Sequence, residues 1–560
     1  MKILLIYPHC LEDRIHTEDV SAPPMGLFYI GALLRENGYD AEIINLQEIG
    51  GRPGAIEKLL AEKAPDVVGF SVLNANRWGA IDAARIVKRM GPETPVVFGG
   101  VSATYLWDHF LTHFPVVDYV VMGEGERTFL SLIRHLQGGG EKGADAIPGI
   151  AFRRGGLNIR SEPAEPVKDL DSLPHPAKYF TFQHLSLTRG CPSNCAFCGS
   201  PGFWGRRVRF HSADYFVDGM EMLHRRGVGF FFVSDDIFTM RPGLVIEICR
   251  KIIDRGLAVS WAAISKVSHV DEAMLCWMRR AGCVQISYGV ESGSETIRSV
   301  LNKAITDDQI ERAFSLTVRY GILARAYFIY GCPGETAETI GETLALIKRI
   351  RPLSAIFYIL DLFPGTALFE GIKKKLGMTD DLWLERIEDI LYFQVDPALS
   401  REDVLAFGKR LRESFYRMLP EAAAAIEVVD DETLYPFHAD FFSRLAMTFS
   451  HGDYAGIDAI PDREGVARML YRRALRYGPD HRAYLGLGIL LQKRRDFRES
   501  AEILARGIAR FPDSPDLHIC LGVSRMNLGA YRAALETFQK FPDSDPARTY
   551  AAECRRRMAK

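Results

Sequence analysis

The 560-residue chain has almost no excess of either charge, with a formal net charge of −2 at pH 7. Without a basic excess, nonspecific nucleic-acid binding is not expected. No apolar run reaches the length needed to span a bilayer. The opening Met1-Lys-Ile-Leu-Leu-Ile-Tyr-Pro8 is too short, and too soon broken by proline, for a signal peptide, and it reads as a first strand. A cytoplasmic protein is therefore expected. Nucleophile-elbow, phosphate-loop and zinc-protease motifs are missing, so hydrolysis and other two-electron chemistry find no foothold. Of the ten cysteines, seven are scattered (Cys10, Cys249, Cys276, Cys283, Cys332, Cys520, Cys554) and show no paired framework of a small secreted protein. What is present in bulk is ordinary: 47% hydrophobic and 25% charged residues, and a length that suits roughly three or four domains.

The other three cysteines are clustered as Cys191-x3-Cys195-x2-Cys198, within Arg189-Gly-Cys-Pro-Ser-Asn-Cys-Ala-Phe-Cys-Gly199. Three thiolates on one loop can hold three corners of a cubane iron–sulfur cluster, where electron-transfer clusters take four. The remaining iron is then open to a small ligand, and S-adenosylmethionine, chelating through its amine and carboxylate, is one that such a site takes. The alternative is zinc, which wants four ligands in a structural site. His184 and His211 are single and at no finger-like spacing. Phe197, beside the last cysteine, suits an apolar wall around a cluster, which is the favoured reading.

Residues 1–140 alternate apolar runs (2–7, 41–45, 66–71, 95–98, 119–122) with helix-like segments near 25–37, 55–63, 79–90, 105–114 and 125–137. This alternation predicts a Rossmann-like, doubly wound parallel sheet. Ligands of such sheets sit beyond the carboxyl ends of the strands, where the chain carries Ser71, Gly99-Gly100 and Gly123-Glu-Gly-Glu126. Glycine lets a backbone approach a bulky ligand, although tight turns need it too. Glu124 and Glu126 stand at a helix start, where the dipole alone accounts for acids. The loop bearing Asn74, Asn76, Arg77 and Trp78 faces a ligand or is an exposed loop. Residues 141–183 read as a connector with a small hairpin near 150–160.

Residues 184–370 alternate again, with strands near 184–188, 229–234, 258–263, 284–288, 324–330 and 356–360 and helices between them. A partial (β/α)6 barrel is predicted, with the cysteine loop, Asp235, Asp236, Lys266 and Glu291 at the carboxyl ends of its strands. Residues 371–463 look helical and carry no motif. In 464–560, Gly488 and Gly522 are 34 apart, as are Phe497 and Tyr531. Helix pairs at this period resemble tetratricopeptide repeats and would offer a face to a peptide or protein partner. The whole is an α/β chain with an all-α C-terminal region.

The cysteine run resembles the signature of the radical S-adenosylmethionine superfamily. Further segments agree in order: Phe232-Val-Ser-Asp-Asp-Ile-Phe-Thr239, Tyr288-Gly-Val-Glu-Ser-Gly-Ser294, Lys303, Tyr327-Phe-Ile-Tyr-Gly-Cys-Pro-Gly-Glu335 and Phe363-Pro-Gly-Thr366. Pro23-Pro-Met-Gly26, Asp66-Val-Val-Gly-Phe-Ser71, Phe98-Gly-Gly100 and Asp118-Tyr-Val-Val-Met-Gly-Glu-Gly-Glu126 are similar to the branch with an N-terminal cobalamin-binding domain. Two departures stand out. The Asp-x-His-x-x-Gly motif is missing, with His9 and His16 outside that pattern, and Ser102 replaces the usual histidine after the double glycine.

The resemblance implies a 4Fe-4S cluster on Cys191, Cys195 and Cys198, S-adenosylmethionine on its open iron, and cobalamin bound without a histidine under cobalt. Ser71, Gly99, Gly100, Gly123 and Gly125 would face cobalamin. Asp235 and Asp236 would accept from the cofactor's ammonium or else cap the helix at Pro242. Glu291 would bind ribose hydroxyls or else form a rim salt bridge, and Lys266 stands where the family often has arginine. Cys332 reads as an inert buried thiol. The implied reaction is reductive cleavage to a 5′-deoxyadenosyl radical and methylation of an unactivated carbon, with flavodoxin or ferredoxin as reductant and the substrate unnamed. The rivals are a carbon-skeleton or cyclisation enzyme, and a repeat scaffold or cobalamin sensor with vestigial chemistry. A methylthiotransferase is disfavoured, because the first domain has only Cys10 where that class holds a second cluster.

Overall fold

The computed structural model describes residues 1–11, 22–138 and 143–559; His16 lies outside them. Strand β1 (Lys2–Tyr7) is buried along almost its whole length, as a parallel strand covered on both faces must be. It pairs in parallel with β2 (Asp40–Asn45) and β3 (Val67–Ser71), and β4 (Val96–Gly99) and β5 (Tyr119–Val121) follow. The order β2-β1-β3-β4-β5 changes direction at β1/β3, where doubly wound sheets open a crevice. Strands β6 (Ile150–Arg154) and β7 (Leu157–Arg160) add antiparallel beyond β5, so the sheet is mixed. The hairpin expected in the connector thus extends the first sheet. The helix expected over 105–114 is two short ones, Val101–Tyr105 and Trp107–His113.

The second sheet starts at β8 (His184–Leu185). The run predicted as one strand over 184–188 breaks there. Asp235 takes the amides of Leu187 and Thr188 at 3.0 and 2.5 Å, and β9 (Thr188–Arg189) turns away to pair with β10 (Arg209–Phe210). The sheet continues with β11 (Phe230–Val233), β12 (Ser260–Ser265), β13 (Cys283–Glu291), β14 (Leu323–Tyr330) and β15 (Ser354–Ile359). All six strands are parallel and stand in chain order, with helices between successive strands. In β14 burial alternates strictly. Ala324, Ala326, Phe328 and Tyr330 are buried, and Leu323, Arg325, Tyr327 and Ile329 stand on the other face, half-buried.

The segment after the helix Ala367–Leu376, which carries no sequence motif, straps the two sheets together. Leu362 and Tyr392 exchange backbone bonds with Ile390 and Leu360 at 2.9 Å. Across the interface, the Trp78 indole donates to Glu385 O at 2.7 Å, Arg77 to Glu388 O at 2.5 Å, and Arg386 pairs with Asp82 at 2.6 Å. The loop 74–78 is therefore neither exposed nor free to face a ligand with Arg77. Helices Arg401–Ala424 and Tyr435–Ser450 follow. Then helices begin at Arg463, Phe497 and Tyr531, a 34-residue step each time, and each is followed by a partner helix that packs on it. Among the described residues, no helix is long and apolar enough to cross a membrane.

Candidate active site

Gly190 turns the chain from β9 into the cysteine loop with φ +104°. A Cβ there would lie 2.8 Å from Arg207 O and 3.0 Å from Gly205 O, so only glycine passes. The loop is anchored by Ala196, whose N–H donates to Leu301 O at 2.9 Å and whose carbonyl accepts from Leu368 N at 2.8 Å. Asn302 donates to Asn194 O at 2.6 Å. Cys191 is close enough to Cys195 and Cys198 to raise the pKa of both; burial, the larger cause, pushes Cys195 up and Cys198 up to about 12. Thiolates there require a metal to displace the protons. No three His, Cys, Asp or Glu side chains among the described residues gather as a single ion requires; a cube spreads its sulfurs over three irons. The trio suits such a cluster in number, proximity and seclusion.

Tyr105, from the first sheet's side, wedges under this loop. Its hydroxyl donates to Gly199 O at 3.1 Å. Its ring occupies the space that a side chain at Gly365, in the Phe363-Pro-Gly-Thr366 turn, would need. Nothing in the sequence pattern marks Tyr105, and Phe363-Pro-Gly-Thr366 enters the sequence reading only as part of the resemblance.

The residues assigned to S-adenosylmethionine surround the loop, with altered jobs. Asp235 is 2% exposed and accepts from the Leu187 and Thr188 amides and the Thr188 hydroxyl, the last at 2.6 Å. It builds the backbone that delivers the cysteine loop. Asp236 accepts from Ser200 in the helix directly after the loop. Neither caps the helix at Pro242, whose N-cap is Arg241. Glu291 lies at a bulge at the end of β13 with φ +65°, a left-handed conformation that costs a non-glycine residue strain. Its carboxylate meets buried Lys303 at 2.7 Å. Burial alone would lower the Lys303 pKa; Glu291 and the neighbouring Cys195 raise it instead. Lys266 reaches Ser193 of the cysteine loop at 3.5 Å. Cys332 is fully buried beside a turn that Glu335 closes by accepting from Gly331 and Cys332.

Glu124 and Glu126 do more than sit at a helix start. Arg189, just before Gly190, pairs with Glu124 at 3.2 Å and Glu126 at 2.6 Å, and Arg209 also holds Glu124. The Arg189 guanidinium lies over the rings of Tyr29 and Trp204, at 5.0 and 5.2 Å. This clamp joins the carboxyl edge of the first sheet to the base of the cysteine loop.

Two cavities open at the clamp. One, of about 130 Å³, is lined by Ser71, Gly99, Gly100, Gly123 and Gly125, all five residues assigned to cobalamin, and is walled by Phe203 and Trp204. A Cβ at Gly100 would lie 3.0 Å from Val72 O, whereas one at Gly123 would meet nothing. The edge is open at Gly123, where part of a ligand can lie against backbone; a whole corrin is far larger than this cavity. His9 is buried against Gly51 and Gly79 and lines neither cavity. The larger cavity, about 1310 Å³, lies between the two sheets. Its walls carry Tyr7, Phe28 and Ile44 from the first sheet's side and Phe232, Ile264, Gln285, Arg325 and Tyr327 from the second, and it reaches Gly190 beside Cys191.

Residues 185–347 match the Radical SAM superfamily and residues 15–133 the B12 binding domain. The chain is 32% identical over 431 residues to the uncharacterized methyltransferase PH0819 of Pyrococcus horikoshii, covering 74% of this chain and 92% of that protein. It is 28% identical over 398 residues to the anaerobic magnesium-protoporphyrin IX monomethyl ester cyclase of Rubrivivax gelatinosus, covering 68% and 71%. The fold is shared with the radical S-adenosylmethionine methyltransferase TsrM from Kitasatospora setae, solved with cobalamin and a [4Fe-4S] cluster. The TM-score is 0.62 at 18% identity, covering 85% of this chain and all of that one (100%).

Proposed function

The chain belongs to the radical SAM superfamily and carries a B12-binding domain, and from that premise we propose that it methylates an unactivated carbon of its substrate. It is an enzyme whose cofactors are a 4Fe-4S cluster, S-adenosylmethionine and cobalamin. The observation that carries the reading is the pair of adjoining cavities. A methyl carrier on the first sheet and a cluster on the second must reach one space; the smaller cavity carries the residues assigned to cobalamin, the larger reaches Gly190 beside Cys191, and the two share Pro24, Gly26, Leu73 and Trp204 in their walls. Bound there, the cluster supplies an electron and an open coordination position, and cobalamin supplies a carrier for the methyl group.

The protein's part is to hold and to exclude. Cys191, Cys195 and Cys198 hold the cluster, with Lys266 and Lys303 offsetting its negative charge. Glu291, fixed by Lys303, presents its remaining oxygen to ribose hydroxyls. Asp236 is left as the acceptor for the ammonium, since Asp235 is spent on backbone. Ser71 and the four glycines cradle cobalamin. The domain division read from the sequence (1–140, 141–183, 184–370, 371–463, 464–560) is kept, with the second sheet as a partial (β/α)6 barrel. The 34-residue helix step supports tetratricopeptide-like repeats that take a peptide or protein partner. A cytoplasmic site and a flavodoxin or ferredoxin reductant suit a cluster that must be reduced.

The experiment is an oxygen-free incubation with methyl-labelled S-adenosylmethionine, reductant and candidate substrates. Label in the product is expected, together with 5′-deoxyadenosine. The similarity to a cyclase favours one second reading, a ring-forming reaction on the same site. Product lacking label, formed alongside 5′-deoxyadenosine, would select it.

A further inference from the structure

Three cations line the large cavity: Lys58, Arg189 and Arg325. Lys58 lies 3.8 Å from Glu62, and Arg189 is held by Glu124 and Glu126. Arg325 has no carboxylate partner among the described residues. Its Nε donates to Ser354 Oγ at 3.0 Å, and neither terminal amino group has an acceptor among the described residues. The alternation of β14 turns it to the cavity side, beside Tyr327. In register it faces Ser287 on β13 and Ser354 on β15, two small polar residues that leave room around the guanidinium. Gln285, also in the lining, donates to Ser287 at 3.4 Å. A patch of donors on three adjacent strands is thus set into a wall that also carries aromatic and aliphatic side chains, Phe28, Phe232, Ile264 and Tyr327 among them. An arginine fork on a cavity wall with no carboxylate partner among the described residues is a ready site for a carboxylate or phosphate.

We propose that Arg325 anchors an anionic group of the substrate, which is therefore an organic acid with an apolar or aromatic body. The position sets a length. Phe328 pairs with Glu291 at the cofactor end of the sheet, and Arg325 stands three residues earlier, about 10 Å down the strand. The reacting carbon lies about that far from the acid group. This deepens the methyl-transfer reading and rests on it for the position of the reacting carbon.

The test uses holoprotein with cluster and cobalamin assembled without oxygen. Calorimetric titrations compare dodecanoate with dodecan-1-ol, and 2-naphthylacetate with 2-(2-naphthyl)ethanol, for wild type, Arg325→Gln and Arg325→Lys. Each acid binds wild type at least about ten-fold more tightly than its alcohol, the lower end for a charge-assisted hydrogen bond. Arg325→Gln abolishes that preference and Arg325→Lys keeps part of it. No acid preference in either pair, or a preference that survives Arg325→Gln, overturns the proposal. Corrin and cluster absorbance and S-adenosylmethionine binding, measured on the same samples, stay at wild-type levels. Loss of either cofactor from Arg325→Gln assigns the arginine to a cofactor's own anion and also overturns it. Wild type that takes up neither cluster nor corrin strikes the methyl-transfer reading instead, and leaves the acid preference to be read on its own.

Discussion

Glu291 concentrates the tension in this site. It sits in a conformation that side chains avoid, buried, with its charge matched by a Lys303 that is only a little more exposed. Removing one partner of a buried pair strands the other, which costs about 3 kcal/mol or more. Glu291→Gln is therefore expected to lower the unfolding free energy by about that amount, measured by denaturant titration. It is also expected to weaken S-adenosylmethionine binding, while corrin uptake on the other sheet is unchanged. The strand-end place of Glu291 was legible because Gly-Val-Glu-Ser-Gly is a pattern, and the salt bridge weighed there as its alternative role is the contact it makes. Lys303 was noticed as a position and not as a partner, because twelve residues and a helix separate the pair. Asp235 shows the opposite error. Its type suggested an ammonium acceptor, but the backbone amides at residues 187 and 188, nearly fifty residues away, had already claimed it.

At the scale of elements, strands were easier to read than their breaks. Continuous apolar runs marked β1 and β3, and alternation marked β14. The split between β8 and β9 was hidden, because a distant carboxylate rather than a local proline or glycine ends the ladder. The C-terminal helices are tied back by Asp440, which meets Arg279 at 2.7 Å, Arg444 at 2.9 Å and Arg482 at 2.8 Å. Burial alone would raise its pKa, but Arg279 and then Arg444 outweigh that and hold it down to about 2. A depressed carboxylate stabilises the fold above its unfolded pKa, near 3.8, and that contribution disappears as pH falls through about 2. A shift of this size corresponds to about 2 kcal/mol. Acid unfolding followed by circular dichroism should show that loss between about pH 4 and pH 2. Asp440→Asn should be less stable at neutral pH and flatter across that window.

At the scale of the molecule, the decisive contacts cross between the two sheets, and a linear reading could not pair them. Glu124 and Arg189 are 65 residues apart, and the acid had a sufficient local explanation at its helix start. Glu124→Ala leaves Arg189 with one partner and Arg209 with none of its former carboxylate. It is expected to cost about 3–5 kcal/mol, read as a fall in melting temperature. Corrin retention on gel filtration should fall with it, because the smaller cavity shares the clamp residues. A variant as stable as wild type and as well loaded with corrin would show that the clamp does not join the halves. Trp204 belongs to the helix that follows the cysteine loop, yet it forms part of the wall of both cavities. One indole therefore borders both the space proposed for cobalamin and the space proposed for substrate, and its emission should be quenched in separate steps as each fills, an optical record of the order in which the two are occupied.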